Sequence, residues 1–194
     1  MRASRGSPAA IAACIGLLAL APSLPANARA HSSDSARLFT EMAPVLQSPR
    51  CMNCHTSTAF PRQGDDHHPH GFNVSRGPEN HGAPGLQCST CHIDRNQDAS
   101  GVPGAPHWAL APLSMEWEGL TPGQICREIR DTGKNGGRDL TALVAHMTTD
   151  KLVQWAWSPG ADAHGQPRRP PPVDQARFHE LVRRWAASGG RCPG

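Results

Sequence analysis

Cys51-Met52-Asn53-Cys54-His55 and Cys88-Ser89-Thr90-Cys91-His92 are two copies of one pattern, C-x-x-C-H. Residues three and four apart on a helical turn share a face. Two thiols at i and i+3 therefore reach one flat ligand from the same side. The imidazole at i+4 stands beside the first thiol, one turn along. This is the arrangement that attaches a c-type haem, with two thioethers to the porphyrin and a histidine nitrogen on the iron. The pattern predicts one haem on Cys51 and Cys54 with His55 as proximal ligand, and a second on Cys88 and Cys91 with His92.

Other uses of paired cysteines fit less well. A thioredoxin-like C-x-x-C expects a surrounding βαβ pattern, and the sequence has none. Two such pairs can bind zinc, but zinc does not require histidine directly after each second cysteine. Disulfides closed within each pair are the remaining alternative.

Working outward, Arg2 and Arg5 precede an apolar run from Pro8 to Ala21, and a polar segment then ends in Ala28-Arg29-Ala30. A basic start, a short apolar stretch and an A-x-A end describe an export signal at residues 1–30. The run is shorter than the ~20 residues that span a bilayer, so no membrane span is expected after cleavage. The expected location is the periplasm.

Cleavage would remove three of the 19 basic residues and none of the 16 acidic ones, leaving 16 of each. That neutral chain has no basic stripe, so no nucleic-acid partner is expected. Six cysteines remain from His31 onward, in an oxidising compartment. Cys126 and Cys192 lie outside the motifs, and their simplest use there is a disulfide.

Hydrophobic residues make up only 38% of the chain, with 19 Gly, 19 Pro and no Tyr. A core this thin needs support from something else. Residues 31–194 are read as one mainly α domain with long Gly/Pro-rich loops wrapped around two haems. A first helix is expected from Ser35 to Ala43, ended or kinked by Pro44. Thr56 to Gln87 and Asn96 to Gly119 read as loops without periodicity.

Thr121-Pro122-Gly123-Gln124 reads as a helix start. Leu140, Leu143, Val144 and Met147 fit an amphipathic helix, and Leu152, Val153 and Ala156 a short one. Phe178, Leu181, Val182 and Trp185 fit the clearest helix, begun near Asp174 and ended by Gly189-Gly190. Gly160 to Pro172 reads as a surface connector. Only 37 residues separate Cys51 from Cys88, too few for a domain apiece.

The sixth ligand decides what each iron does. Histidine or methionine there gives an electron-transfer haem, while an open position permits ligand chemistry. His70, His81 and His146 are the preferred distal candidates, with His107 and Met115 behind them. His67, His68, His164 and His179 read as solvated. Arg76, Lys134 and Arg138 are candidate partners for the haem propionates. The five tryptophans are expected against porphyrin or in the core. The expected activity is electron transfer rather than catalysis. The alternatives are a small peroxidase-like dihaem enzyme or a haem-based sensor with one open iron.

Together with the two motifs, the stretches QGDDHHPHGFNVSRG (63–77), APHWALAPLSMEWEG (105–119), ICREIRDTGKNGGRDLTALVAHM (125–147), DKLVQWAWSPG (150–160) and GGRCP (189–193) resemble a family of exported dihaem cytochromes. Its members are often labelled as a subunit of isoquinoline 1-oxidoreductase. The resemblance runs from about Phe39 to Pro193. It implies a periplasmic partner that takes electrons from a molybdenum-containing hydroxylase acting on N-heteroaromatics or aldehydes. It carries over only Cys51, Cys54, His55, Cys88, Cys91 and His92. This chain has no molybdopterin signature and no four-cysteine iron–sulfur pattern of its own.

Overall fold

The computed structural model describes residues 26–194, with side chains from residue 34 onward. The expected export segment lies outside the described residues, except for the backbone of 26–30, which opens helix α1 (Ala26–Leu46). Leu38, Phe39, Met42, Ala43, Val45 and Leu46 form the buried face of α1.

Of the two expectations at Pro44, an end or a kink, the end is not met, since the helix continues to Leu46. Proline there removes only the bond to the Thr40 carbonyl, and Thr40 and Pro44 are both exposed to water. The next turn holds because Val45 and Leu46 are buried and Gln47 N–H reaches the Ala43 carbonyl at 3.0 Å.

The other helices follow their sequence signals. In α3 (Pro122–Arg130), Thr121 and Gln124 form the expected capping box. Asp139 caps α4 (Leu140–Thr149), Asp150 caps α5 (Lys151–Gln154) and Asp174 caps α6 (Gln175–Ala187). Each aspartate accepts hydrogen bonds from first-turn N–H groups that have no partner within the helix. The short helix α2 (Pro49–Met52) carries the first motif, with Pro49 at its start. The fold is mainly α, and among the described residues no helix is long and apolar enough to cross a membrane.

The core lies where α1 packs along α6, with α3 against α1 and α4 against α6. Phe39 and Trp185 meet at 5.4 Å between ring centres. Trp185 Nε1 donates to the Arg191 carbonyl at 3.0 Å. Arg191 N–H in turn donates to Ser35 Oγ at 2.8 Å, which fastens the C-terminal segment back onto α1.

Cys126 of α3 and Cys192 form the expected disulfide, with Cα atoms 5.5 Å apart and a sequence separation of 66. In the chain-entropy account, closing a loop of that length contributes ~4 kcal/mol. That supplement suits a core this thin.

The long segment from Thr56 to Gln87 is not wholly irregular. It contains two minimal antiparallel hairpins, β1 (Arg62–Gln63) with β2 (His68–Pro69) and β3 (Gly82–Ala83) with β4 (Leu86–Gln87). Strands of two residues are too short to show an alternating pattern, which is why the sequence hides them.

Candidate functional site

Both C-x-x-C-H motifs adopt the same turn. In the first, the N–H groups of Cys54 and His55 both reach the Cys51 carbonyl at 3.1 Å. In the second, those of Cys91 and His92 reach the Cys88 carbonyl at 3.2 and 2.9 Å. The sequences around the motifs are unrelated, and one turn continues α2 while the other is a 3-10 turn after β4. The two thiols of each motif are therefore held one helical turn apart, as the spacing predicts.

Each motif histidine is also held in the same way. His55 Nδ1 lies 2.7 Å from the Met115 carbonyl, and His92 Nδ1 lies 2.7 Å from the Pro103 carbonyl. A carbonyl only accepts, so each Nδ1 carries the proton and donates it. Each Nε2 is left with its lone pair and has no hydrogen-bond partner among the described residues. Burial pushes the His55 pKa down to about 4 and lowers that of His92, so both rings are neutral near pH 7.

A tryptophan lies flat against each ring. Trp117 stacks on His55 at 3.4 Å with planes 9° apart, and Trp108 stacks on His92 at 4.5 Å and 6°. Trp155 meets Trp108 edge-on, whereas Trp157 and Trp185 pack in the helical core. Gly104 is what lets the Pro103 carbonyl approach. A Cβ at this position would collide with the carbonyls of Ile93 and Arg95.

The first motif opens into a cavity of about 290 Å³. Cys51, Cys54, His55, Trp117, Leu143 and His146 are part of its wall. Trp117 Nε1 is buried there with no acceptor. Such a donor is rare unless an acceptor arrives with an occupant.

The four motif cysteines are free thiols. Burial pushes Cys51 up to about 12 and Cys54 up to about 11, the nearby Cys88 adding to the latter. Redox-active C-x-x-C pairs do the opposite and lower the thiol pKa. Among the described residues, no three His, Cys, Asp or Glu side chains converge to hold a bare metal ion.

The distal candidates separate clearly. His146, on α4, lies in the cavity wall with His55, and its Nδ1 is 3.4 Å from Asp150 Oδ2. His70 has its ring centre 6.0 Å from that of His92, and its Nδ1 donates to the Gly71 carbonyl at 2.8 Å. His81 is exposed. His107 is exposed, with φ at +61°, yet it too belongs to the wall of the first cavity. Met115 serves His55 through its main-chain carbonyl.

Several sequence expectations need correction. His67 is not solvated but bridges Asn53 Oδ1 at 2.6 Å and Glu118 Oε1 at 3.0 Å. Arg76 is buried among backbone carbonyls and is not free to meet a propionate. Lys134 is taken by Glu128 at 2.7 Å. Arg138 does line the cavity. Arg50 was missed. Its neighbour Cys51 was the only signal, yet its guanidinium lies in the cavity wall, bonded to Asp65 at 2.6 Å and 5.8 Å from the centre of Trp155.

Glu118 ties the loop beyond the first motif together. It accepts from Ser57 N–H at 2.9 Å, from Ser57 Oγ, from His67 and from Arg62. Burial pushes this carboxyl up, but those hydrogen bonds and the Arg62 charge outweigh it and bring it to about 2. An ordinary Glu titrates at ~4.3. The stabilisation is thus complete above that value and is lost as pH falls from there through about 2. Glu118→Gln is expected to cost ~1–2 kcal/mol at neutral pH, allowing for solvent screening, and to converge on the parent near pH 2. Urea midpoints of both proteins between pH 7 and pH 2 test this. A difference that stays constant with pH would exclude it.

Comparison of the chain with protein-family models, with curated proteins and with solved structures gives no match.

Proposed function

We propose that this chain is an exported electron-transfer protein that carries two covalently attached c-type haems. One observation carries the reading. Two motifs in unrelated surroundings share the same backbone turn, and each presents two thiols beside an imidazole with Nδ1–H on a carbonyl and Nε2 free. The donor set fits the group. Metal-bound histidines characteristically donate the other ring N–H to a fixed acceptor, which sets the tautomer and ring orientation. The unpartnered Trp117 Nε1 in an apolar cavity adds to that fit. The raised thiol pKa values of Cys51 and Cys54 speak against a redox-active pair in the first motif.

A bound haem supplies a one-electron change at its iron. The protein's part is to hold and tune. Cys51 and Cys54 would anchor the first haem and Cys88 and Cys91 the second, with His55 and His92 as proximal ligands. The carbonyls of Met115 and Pro103 stop each imidazole from turning and make it a better donor. Trp117 and Trp108 cover the flat faces of these rings and exclude water from them. The 37-residue spacing from Cys51 to Cys88 within one domain favours electron exchange between the two sites.

The donor implied by the resemblance is a periplasmic molybdenum-containing hydroxylase, and the acceptor is the respiratory chain. The polypeptide is neutral without residues 1–30. Ionised propionates would make the loaded protein acidic, which suits a basic patch on such a partner.

The test is intact mass with a pyridine haemochrome spectrum, on protein exported from a host that has the c-type maturation machinery. Two covalent haems per chain, beginning near His31, are expected. A matured chain with no covalent haem overturns the reading.

A further inference from the structure

We propose that both irons are closed on their second side by histidine, His146 opposite His55 in the first site and His70 opposite His92 in the second. This rests on the dihaem reading and extends it to the complete ligand set. It makes both sites six-coordinate and leaves neither open for substrate.

The second pair is carried by distance. With metal–nitrogen bonds of ~2.0–2.1 Å on both sides and ~1.1 Å from nitrogen to ring centre, two imidazoles facing each other across one metal have centres ~6.3 Å apart. His70 and His92 are 6.0 Å apart with planes at 69°. Rings that share one metal–nitrogen axis can take any angle about it, so 69° is allowed. Their Nδ1 atoms are both occupied by carbonyls, those of Gly71 and Pro103, so both rings keep Nε2 free.

The first pair is carried by the cavity. His55 and His146 are 91 residues apart in sequence yet line one apolar space with Cys51 and Cys54. Buried Leu143 and Met147 fix α4 against the core and hold His146 there. Asp150 stands behind the ring at Nδ1, the carboxylate–histidine arrangement common behind metal ligands.

The remaining described histidines are otherwise engaged or exposed. Both ring nitrogens of His67 and His68 are taken by protein groups, and His179 Nε2 is taken by Gln154. His81 and His164 are exposed; His107 shares the wall of the first cavity but is exposed, whereas His146 is half-buried on α4.

The two sites differ in what backs the distal ring. A carboxylate stands behind His146 and a neutral carbonyl behind His70. The carboxylate makes its imidazole the stronger donor, so the first site is expected at the lower potential.

Carbon monoxide titration of the exported, reduced holoprotein tests the assignment. Haem is counted first, so absence of covalent haem would fail the underlying reading separately. The parent is expected to bind no carbon monoxide. His70→Ala and His146→Ala, each retaining two haems, are expected to bind one per chain. Binding by the parent, or none by a variant with two haems, overturns the assignment.

Variants that keep a ligating side chain guard against failed maturation. His70→Met and His146→Met should each raise one midpoint potential, and not the same one. Asp150→Asn should raise only the midpoint that responds to His146→Met, because asparagine still caps α5. Midpoints that do not move overturn the proposal.

Discussion

Replacing Cys88 and Cys91 together by serine is expected to give a folded, exported chain with one covalent haem where the parent has two. The haemochrome absorbance per chain should halve, and the intact mass should fall by one haem. The second motif is the one to remove because little of the helical core rests on it. Cys91 is exposed, Cys88 is half-buried, and the turn that carries them joins loops rather than long helices. The first motif stands differently. Cys51 packs against the main core, and its cavity reaches Ile129, Leu143 and Phe178. The same change at Cys51 and Cys54 would leave an unfilled apolar space in the centre of the molecule. Unfilled core volume costs ~24 cal/mol per Å³, and the cavity measures about 290 Å³. That variant is expected to be poorly exported, so the asymmetry between the motifs is itself part of the prediction. Two haems retained in the Cys88/Cys91 variant would refute the assignment of the second site.

What the sequence made legible is what local chemistry decides. The helices could be read because Thr121 and Asp174 sit at helix starts and because Leu140, Leu143, Val144 and Met147 keep a helical period, while the caps at Asp139 and Asp150 came only with the structure. The two motif turns could be read because their spacing is their geometry. The end of α1 was misread because a proline rule is local, while the burial of Val45 and Leu46 depends on elements far along the chain. The cradle around each motif histidine lay beyond reach for the same reason. Its hydrogen-bond partners are main-chain carbonyls, 60 residues away for His55 and 11 for His92, and a carbonyl carries no residue signature. His70 and His146 could be proposed but not assigned, since only the fold says which motif each one faces. Composition could name basic residues near a haem, but it could not separate Arg138, which lines the cavity, from Arg76, which does not.

Arg76→Met is expected to lower the stability of the loaded protein by ~5 kcal/mol, a large part of the ~5–15 kcal/mol typical of a domain. Arg76 is 7% exposed. Its guanidinium donates to the carbonyls of Thr56 at 3.3 Å, Thr58 at 3.2 Å and Ala111, and to Asn80 Oδ1 at 3.0 Å. Its own N–H reaches the Ala59 carbonyl at 2.7 Å, and its carbonyl accepts from Gly82 at 2.9 Å. One side chain thus gathers three loop segments that share no regular structure. Each charge-assisted bond is worth ~1.5–3 kcal/mol net, and its loss strands a buried carbonyl. Methionine fills much of the space but donates nothing. Lysine brings a charge but cannot reproduce the planar fork, so Arg76→Lys should fall between parent and Arg76→Met. Thr56 directly follows His55, and Ala111 leads to the Met115 carbonyl that holds the His55 ring. Loosening these loops should therefore disturb the first site before the second. Denaturant unfolding followed at the haem absorbance, with the potentials of both sites measured alongside, separates the two roles open to this residue. A clamp predicts a large loss of stability in the order Met, Lys, parent. A propionate partner predicts a shifted potential with stability nearly unchanged, and that result would remove Arg76 from the architecture argued here.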